Sequence, residues 1–216
     1  PARLREAYLL STNGKLDEAR ELLHSIPTHN IQQQVQLLLV EAQLLRDAQQ
    51  FEAAYQVLQQ GLEKFPDHPD LLYEVALLAD KLGKPDVLEQ LMRKLILIQP
   101  DNANAYNALG YSLLERNVRV EEGMQLVEKA YQLAPNDAAI IDSMGWGHYR
   151  LGKLDKSLEF LHRAFSADPD PEIAAHLGEV LWVHGDKEEA KKIWSGSLKQ
   201  NPQSEPLQAV MKKFLP

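Results

Sequence analysis

Prolines recur at Pro66, Pro100, Pro135, Pro169 and Pro202, separated by 34, 35, 34 and 33 residues, and the words around them recur as well: "FPDHPD", "QPDNAN", "APNDAA", "DPDPEI" and "NPQSEP". A chain written in units of this length cannot bury a core inside one unit, so each unit must pack on its neighbours. Between the prolines, a large residue followed by Gly or Ala sits on a first helix. A short polar turn follows, and a small residue opens a second helix. Ala42, Ala76, Gly110, Gly145 and Gly178 mark the place where the two helices of a hairpin cross, because anything larger than methyl would clash there. A second small set is Ala19, Ala54, Gly123, Ser157 and Ala190, broken by Leu88. A third is Gly61, Ala130, Ala164 and Ser197, broken by Leu95. In the turns "NGKLDEA", "LGKPDVL", "LGKLDKS" and "HGDKEEA", the Gly is expected to end one helix and a polar residue to cap the next.

These residues make the chain resemble the tetratricopeptide repeat (TPR) family over almost its whole length. The resemblance implies an all-α fold, a right-handed superhelical solenoid of helix–turn–helix hairpins. Six repeats are expected, at about 1–34, 35–68, 69–102, 103–137, 138–170 and 171–203. The fourth has one extra residue in its turn, "ERNVRVEEG", and the second helix of the first is short, ended by "IPTHN". Residues 204–216 read differently. Leu207, Val210, Met211 and Phe214 form one apolar stripe at helical spacing, as suits a capping helix over the sixth repeat. About thirteen helices follow. The stretch "DSMGWGHYRLGKLDKSLEFL…DPDPEIAAHLGEVLW" is similar to the end of large proteobacterial TPR proteins. Some of these are outer-membrane lipoproteins acting as adaptors, at least one for a C-terminal processing protease. That likeness implies a periplasmic setting, with the cytoplasm as the alternative. The chain opens at Pro1, already inside an amphipathic pattern, and reads as a piece of a longer protein.

Composition narrows the function. The apolar fraction is 44% and the charged fraction 25%, ordinary for a globular chain, and the net charge is −8. A nucleic-acid surface would need a basic patch, so nucleic acid is not an expected partner. No apolar run is long enough to insert directly into a membrane. The absence of cysteine excludes disulfides, thiolate metal sites and a cysteine nucleophile.

The chemical motifs resolve into bland readings. Seven histidines contain no metal-binding spacing, so no metal and no cofactor are expected. "DPDPE" at Asp168–Glu172 lacks the spacing and glycine of a calcium loop and reads as an inter-repeat turn whose Asp caps a helix near Pro171. The Gly-Lys pairs at residues 14, 83 and 152 lack the rest of a phosphate loop. Ser143 lies beside Asp142 and near His148, but adjacent residues on a helix point about 100° apart, from 3.6 residues per turn. No nucleophile elbow surrounds the serine. No catalytic residue is expected, and the chain is read as not an enzyme.

The resemblance also implies where a partner binds. In this family, the first helices of successive repeats line a concave groove. Carried over repeat by repeat, the groove positions include Tyr73 and Leu77, then Asn107 and Tyr111. Asp142, Trp146, Tyr149 and Arg150 follow, then Glu172, Glu179 and Trp182. Exposed Tyr and Trp are residues that dominate interfaces, although some of these rings can instead pack between adjacent hairpins. Trp194 falls at a buried second-helix position. Of the Lys, Asn and Arg used by carboxylate-clamp relatives, only Asn107 is matched, and Glu172 and Glu179 stand where cations would help. The expected function is a scaffold or adaptor holding a peptide or partner protein, with a basic or neutral segment favoured. Self-association through the uncapped N-terminal repeat is the alternative, and a non-catalytic half of an enzyme whose active domain lies upstream is a third.

Overall fold

The computed structural model describes residues 2–215, which form thirteen helices and no strand. The chain divides between Pro100 and Asp101 into two compact bodies. The N-terminal body holds α1 (Ala2–Thr12), α2 (Leu16–His24), α3 (Ile31–Asp47), α4 (Phe51–Lys64), α5 (Pro69–Lys81) and α6 (Pro85–Ile98). The C-terminal body holds α7 (Ala103–Glu115), α8 (Val120–Leu133), α9 (Ala138–Arg150), α10 (Leu154–Ala167), α11 (Pro171–His184), α12 (Lys187–Gln200) and α13 (Glu205–Phe214). None of these helices is long and apolar enough to cross a membrane.

The recurring proline words lead into α5, α7, α9, α11 and the cap helix α13. In "PDNA", Asn102 caps α7 by accepting from Ala105 N at 3.0 Å. In "PNDA", Asp137 caps α9 by accepting from Ile140 N at 3.1 Å. In "DPDPE", Asp170 accepts from Glu172 N at 2.7 Å, and Pro171 opens α11. Each cap satisfies one of the amide donors left free at a helix start. The second helices start otherwise. Gly14, Gly83, Gly152 and Gly185 have φ of 78°, 71°, 73° and 116°, the left-handed conformation that ends a helix and suits glycine. The polar residues after them do not cap: Lys15, Lys84, Lys153 and Asp186 make no side-chain cap bond. That expectation is corrected. A lysine offers no acceptor to an amide, and Asp17, Asp86 and Asp155 in the first turn instead oppose the helix dipole. The extra residue of the α7–α8 turn puts Asn117 and Arg119 in the left-handed region at φ 53° and 46°.

In the N-terminal body, Ala7, Ala19, Leu23 and Leu44 form one apolar cluster. Val35, Ala42, Leu45, Ala54, Leu58, Leu71 and Val75 belong to a second. Buried Glu41 on α3 accepts from Arg20 Nε at 2.9 Å and bonds His24 Nε2 at 2.9 Å, tying α3 to α2. In the C-terminal body, the first helices contact one another in the order α7, α9, α11, and α13 packs on α11 and α12. Leu207 and Val210 of the α13 stripe are buried, and Phe214 lies against Trp182 and Trp194, with ring centroids 5.8 and 5.9 Å away.

Small residues permit the crossings. A Cβ on Gly145 would lie 2.6 Å from Leu161 Cγ, and one on Gly110 would lie 2.8 Å from the Gly123 carbonyl oxygen. At Gly178 it would lie 2.0 Å from Nε1 of Trp194, a ring with no exposed surface and no room to retreat. Gly178→Leu is therefore expected to lower stability by about 1–3 kcal/mol or more. A chemical-denaturation midpoint unchanged from the parent would show that α11 and α12 do not cross there. Deleting residues 204–216 uncovers Leu198 and Trp194 and is expected to cause self-association. A monomer in sedimentation, melting as the parent does, would refute a capping role.

Candidate docking pocket

The C-terminal body carries a pocket of about 340 Å³ whose walls come from α7, α9, α11 and α13. This is at the small end of ligand pockets, which run roughly 300–1,000 Å³. Tyr111 and Glu115 come from α7, Trp146 and Arg150 from α9, and Glu172, Ala175, His176 and Glu179 from α11. Pro206, Ala209, Val210 and Lys213 come from the cap. The periodicity explains the convergence: Tyr111 and Glu115 are one turn apart, as are Trp146 and Arg150, and Glu172, His176 and Glu179 descend one face of α11.

Trp146 forms the floor. It is 3% exposed, donates Nε1–H to Glu115 Oε2 at 2.7 Å, and stacks on the His176 ring at 4.1 Å and 22°. The Arg150 guanidinium lies 4.6 Å from the Trp146 ring centre and donates to the Glu115 carbonyl at 2.9 Å. His176 is 7% exposed, and its Nδ1 lies 2.8 Å from Oδ2 of Asp142, itself 5% exposed. Its Nε2 lies 3.3 Å from the Tyr111 hydroxyl, which donates to Glu172 Oε1 at 2.7 Å. A phenol has one hydrogen, and Glu172 takes it. His176 Nε2 therefore faces phenol lone pairs and Nδ1 faces a carboxylate, so both ring nitrogens act as donors. This arrangement favours the imidazolium, set against the buried Asp142. The second carboxylate oxygen of Asp142 is buried without a partner.

The titration shifts follow from these contacts. Burial alone would lower the His176 pKa, but the Asp142 carboxylate bonded to it, with Glu172 and Glu115 beyond, holds it above the usual 6.5. Burial first, and then the Glu172 carboxylate, push the Tyr111 phenol upward. Burial and then Glu179 push Tyr149, whose hydroxyl donates to Glu179 Oε1 at 3.1 Å, up to about 12.

A TPR sequence profile matches residues 35–78, and a second TPR profile matches 86–138 and 143–204. The chain belongs to the tetratricopeptide repeat family. A TPR repeat-containing protein of Pseudomonas aeruginosa is 42% identical over 179 residues, covering 83% of this chain and 30% of that protein. The mitochondrial import receptor subunit TOM70 of Rattus norvegicus is 26% identical over 156 residues, 70% of this chain and 25% of that protein. The chain thus spans less than a third of either relative. Among solved structures, a thermophilic TPR protein from Thermus thermophilus superposes with a TM-score of 0.73 at 23% identity, covering 82% of this chain and 97% of that one. A tetratricopeptide repeat protein from Parabacteroides merdae gives 0.74 at 15% identity, covering 98% and 84%. These two likenesses concern the fold.

Of the groove positions that the TPR resemblance implied, Tyr111, Trp146, Arg150, Glu172 and Glu179 line the pocket. Asp142 lies behind His176, and Tyr149 touches the pocket through Glu179. Asn107 is half-buried one turn before Tyr111, its side-chain oxygen without a partner. Trp182 is not among the lining residues. Its half-buried ring packs 5.8 Å from Trp194 and 5.8 Å from Phe214, in the joint between α11, α12 and the cap. Trp146 is buried rather than an open groove aromatic. Tyr73 and Leu77, one turn apart on α5 and both half-buried, belong to the N-terminal body. Sequence reasoning missed three residues. His176 was read as a bland helix position, and its only signal was its place four residues after Glu172. Glu115 ends α7, and Lys213 faces away from the apolar stripe that identified the cap.

A His group whose folded pKa is raised stabilises the fold below its unfolded pKa, and this contribution disappears as pH rises through the folded value. The stability difference between the parent and His176→Gln is expected to be largest below pH 6.5 and to shrink above it. His148, lowered by burial and then by Lys153 and Lys156, slopes the opposite way and cancels in the difference. Urea denaturation of both proteins across the pH range measures it, and a difference independent of pH would mean that the ring stays neutral.

Proposed function

We propose that this chain is a non-catalytic docking module, a scaffold or adaptor that holds a peptide or partner protein at the C-terminal pocket. One observation carries the reading: a cavity with an aromatic floor and a carboxylate rim, held open by a buried, hydrogen-bonded network. Such preorganisation lowers the ordering cost of binding, and aromatic residues dominate interfaces. One relative, the mitochondrial import receptor subunit TOM70, is a receptor subunit, in keeping with a binding role.

An enzymatic reading finds less support. Asp142 and His176 form a dyad, but His176 faces a phenol whose proton is held by Glu172 and whose pKa is raised. A nucleophile needs the opposite shift. The hydroxyl of Ser143 is engaged by the Ala139 carbonyl at 3.0 Å. The rim favours a basic or neutral segment over an acidic one, with an effect that weakens as salt rises.

The test fills the cavity without removing any packing. Ala209 is exposed on α13 and lines the pocket. Partners recovered with the chain as bait would be purified and titrated by calorimetry. Ala209→Trp is expected to weaken binding by on the order of 2 kcal/mol while leaving the melting temperature close to the parent's. Gln132→Trp, exposed on α8 outside the pocket lining, should change nothing. A partner that binds Ala209→Trp as tightly as the parent docks elsewhere, and the proposal fails.

A further inference from the structure

The charges around the pocket are not balanced. Glu115 is paired with Arg150 at 3.5 Å. Glu179, 7% exposed, is paired with Lys213 Nζ at 2.9 Å. Glu172 accepts the Tyr111 hydroxyl and pairs with no cation among the described residues. The lining therefore holds three carboxylates against two cations, with the buried Asp142–His176 pair neutral as a whole.

The origin of the second cation is informative. Arg150 is fixed on both sides, by the Trp146 ring and by the Glu115 carbonyl. Lys213 is held more loosely. It reaches in from α13, bonds Glu179 and lies 4.9 Å from the Phe214 ring centre, but its side chain is 59% exposed against 23% for Arg150. An ammonium on a long, largely solvated stem is less committed than a guanidinium packed in the wall. An ammonium entering from a partner could take over Glu179 and would lie in a lining that also holds Glu172, a carboxylate that Lys213 does not reach. An acidic segment would have to strip Arg150 and Lys213 from their carboxylates and lie against unpaired Glu172.

We infer that the pocket recognises a basic side chain, lysine or arginine, of the docked partner, and that Lys213 is a tethered occupant which the partner's residue displaces. The inference rests on the docking reading and adds the chemistry of the residue received. It makes the cap helix a built-in competitor as well as a cover for the last repeat, so in the empty site the buried Glu179, which also accepts from Tyr149, keeps a cation beside it.

The test uses the whole chain and short synthetic probes. A glycine heptapeptide with one central lysine is compared with its norleucine and glutamate counterparts. Binding is read from the NMR signal of the Trp146 indole N–H, which sits on Glu115. The lysine peptide is expected to shift this signal saturably, less so as salt rises, and the other two are not. Lys213→Met should tighten the lysine peptide about threefold or more, because the competitor is gone. Lys212→Met removes the same charge from an exposed neighbour and should change affinity by less than about twofold. Glu172→Gln, also at an exposed position, should weaken it. Norleucine binding as well as lysine, no shift by any probe up to about 10 mM, or Lys213→Met behaving like Lys212→Met would each overturn the inference. If Ala209→Trp abolishes partner binding while no lysine preference exists, docking stands and cation recognition falls.

Discussion

The close approach of paired helices is the constraint from which the C-terminal body is built. At Gly110, Gly145 and Gly178 the missing side chain lets the second helix of a hairpin lie against the backbone of the first. A Cβ at any of the three would come within 2.8 Å of a neighbour. Packed interiors do not stretch to absorb such an intrusion. The distance between helices is thereby fixed, and with it the offset between α7, α9 and α11. Trp194 shows the tightness of the fit: its indole fills the space that Gly178 leaves and donates to the Ala175 carbonyl at 3.3 Å.

The pocket inherits its geometry from that offset. Asp142 and His176 are 34 residues apart, almost one repeat, and the register of α9 against α11 brings them to 2.8 Å. Tyr111 and Glu172, from α7 and α11, complete the chain of hydrogen bonds. Relative magnitudes decide which contact orients His176. A stacked aromatic pair contributes about 0.5–1.5 kcal/mol beyond its buried area, whereas breaking a buried ion pair costs roughly 3–5 kcal/mol. The Asp142 carboxylate therefore sets the ring, and the Trp146 stack follows. The same network fixes the floor, because Trp146 is held at its edge by Glu115 and on its face by His176.

Much of the fold was legible in the residues. The 34-residue spacing specified hairpins, "DPDP" specified the cap before Pro171, and the Leu207–Phe214 stripe specified a covering helix; the caps at Asn102 and Asp137 were found in the structure. All of these are local signals, because a cap or a stripe depends on residues within a turn or two of itself. The lysines after the helix-ending glycines misled for the same reason: polarity suggested a cap, but only an acceptor can serve.

The site was legible in part. The TPR resemblance implied that Tyr111, Trp146, Arg150, Glu172 and Glu179 face one groove, and the tertiary structure brings them together around the pocket. It also separated Trp146 from Trp182. Both rings face the interior of the array, but one stacks on a histidine one repeat away and the other is taken by the cap. The sequence by itself determined the helices, their crossings and the side of each helix that turns inward, since these follow from period, size and capping chemistry along the chain. Only the tertiary structure decided that Asp142 meets His176, that Lys213 answers Glu179 and that Glu172 is left over. Those pairings depend on the offset between helices from different repeats, which no local period encodes.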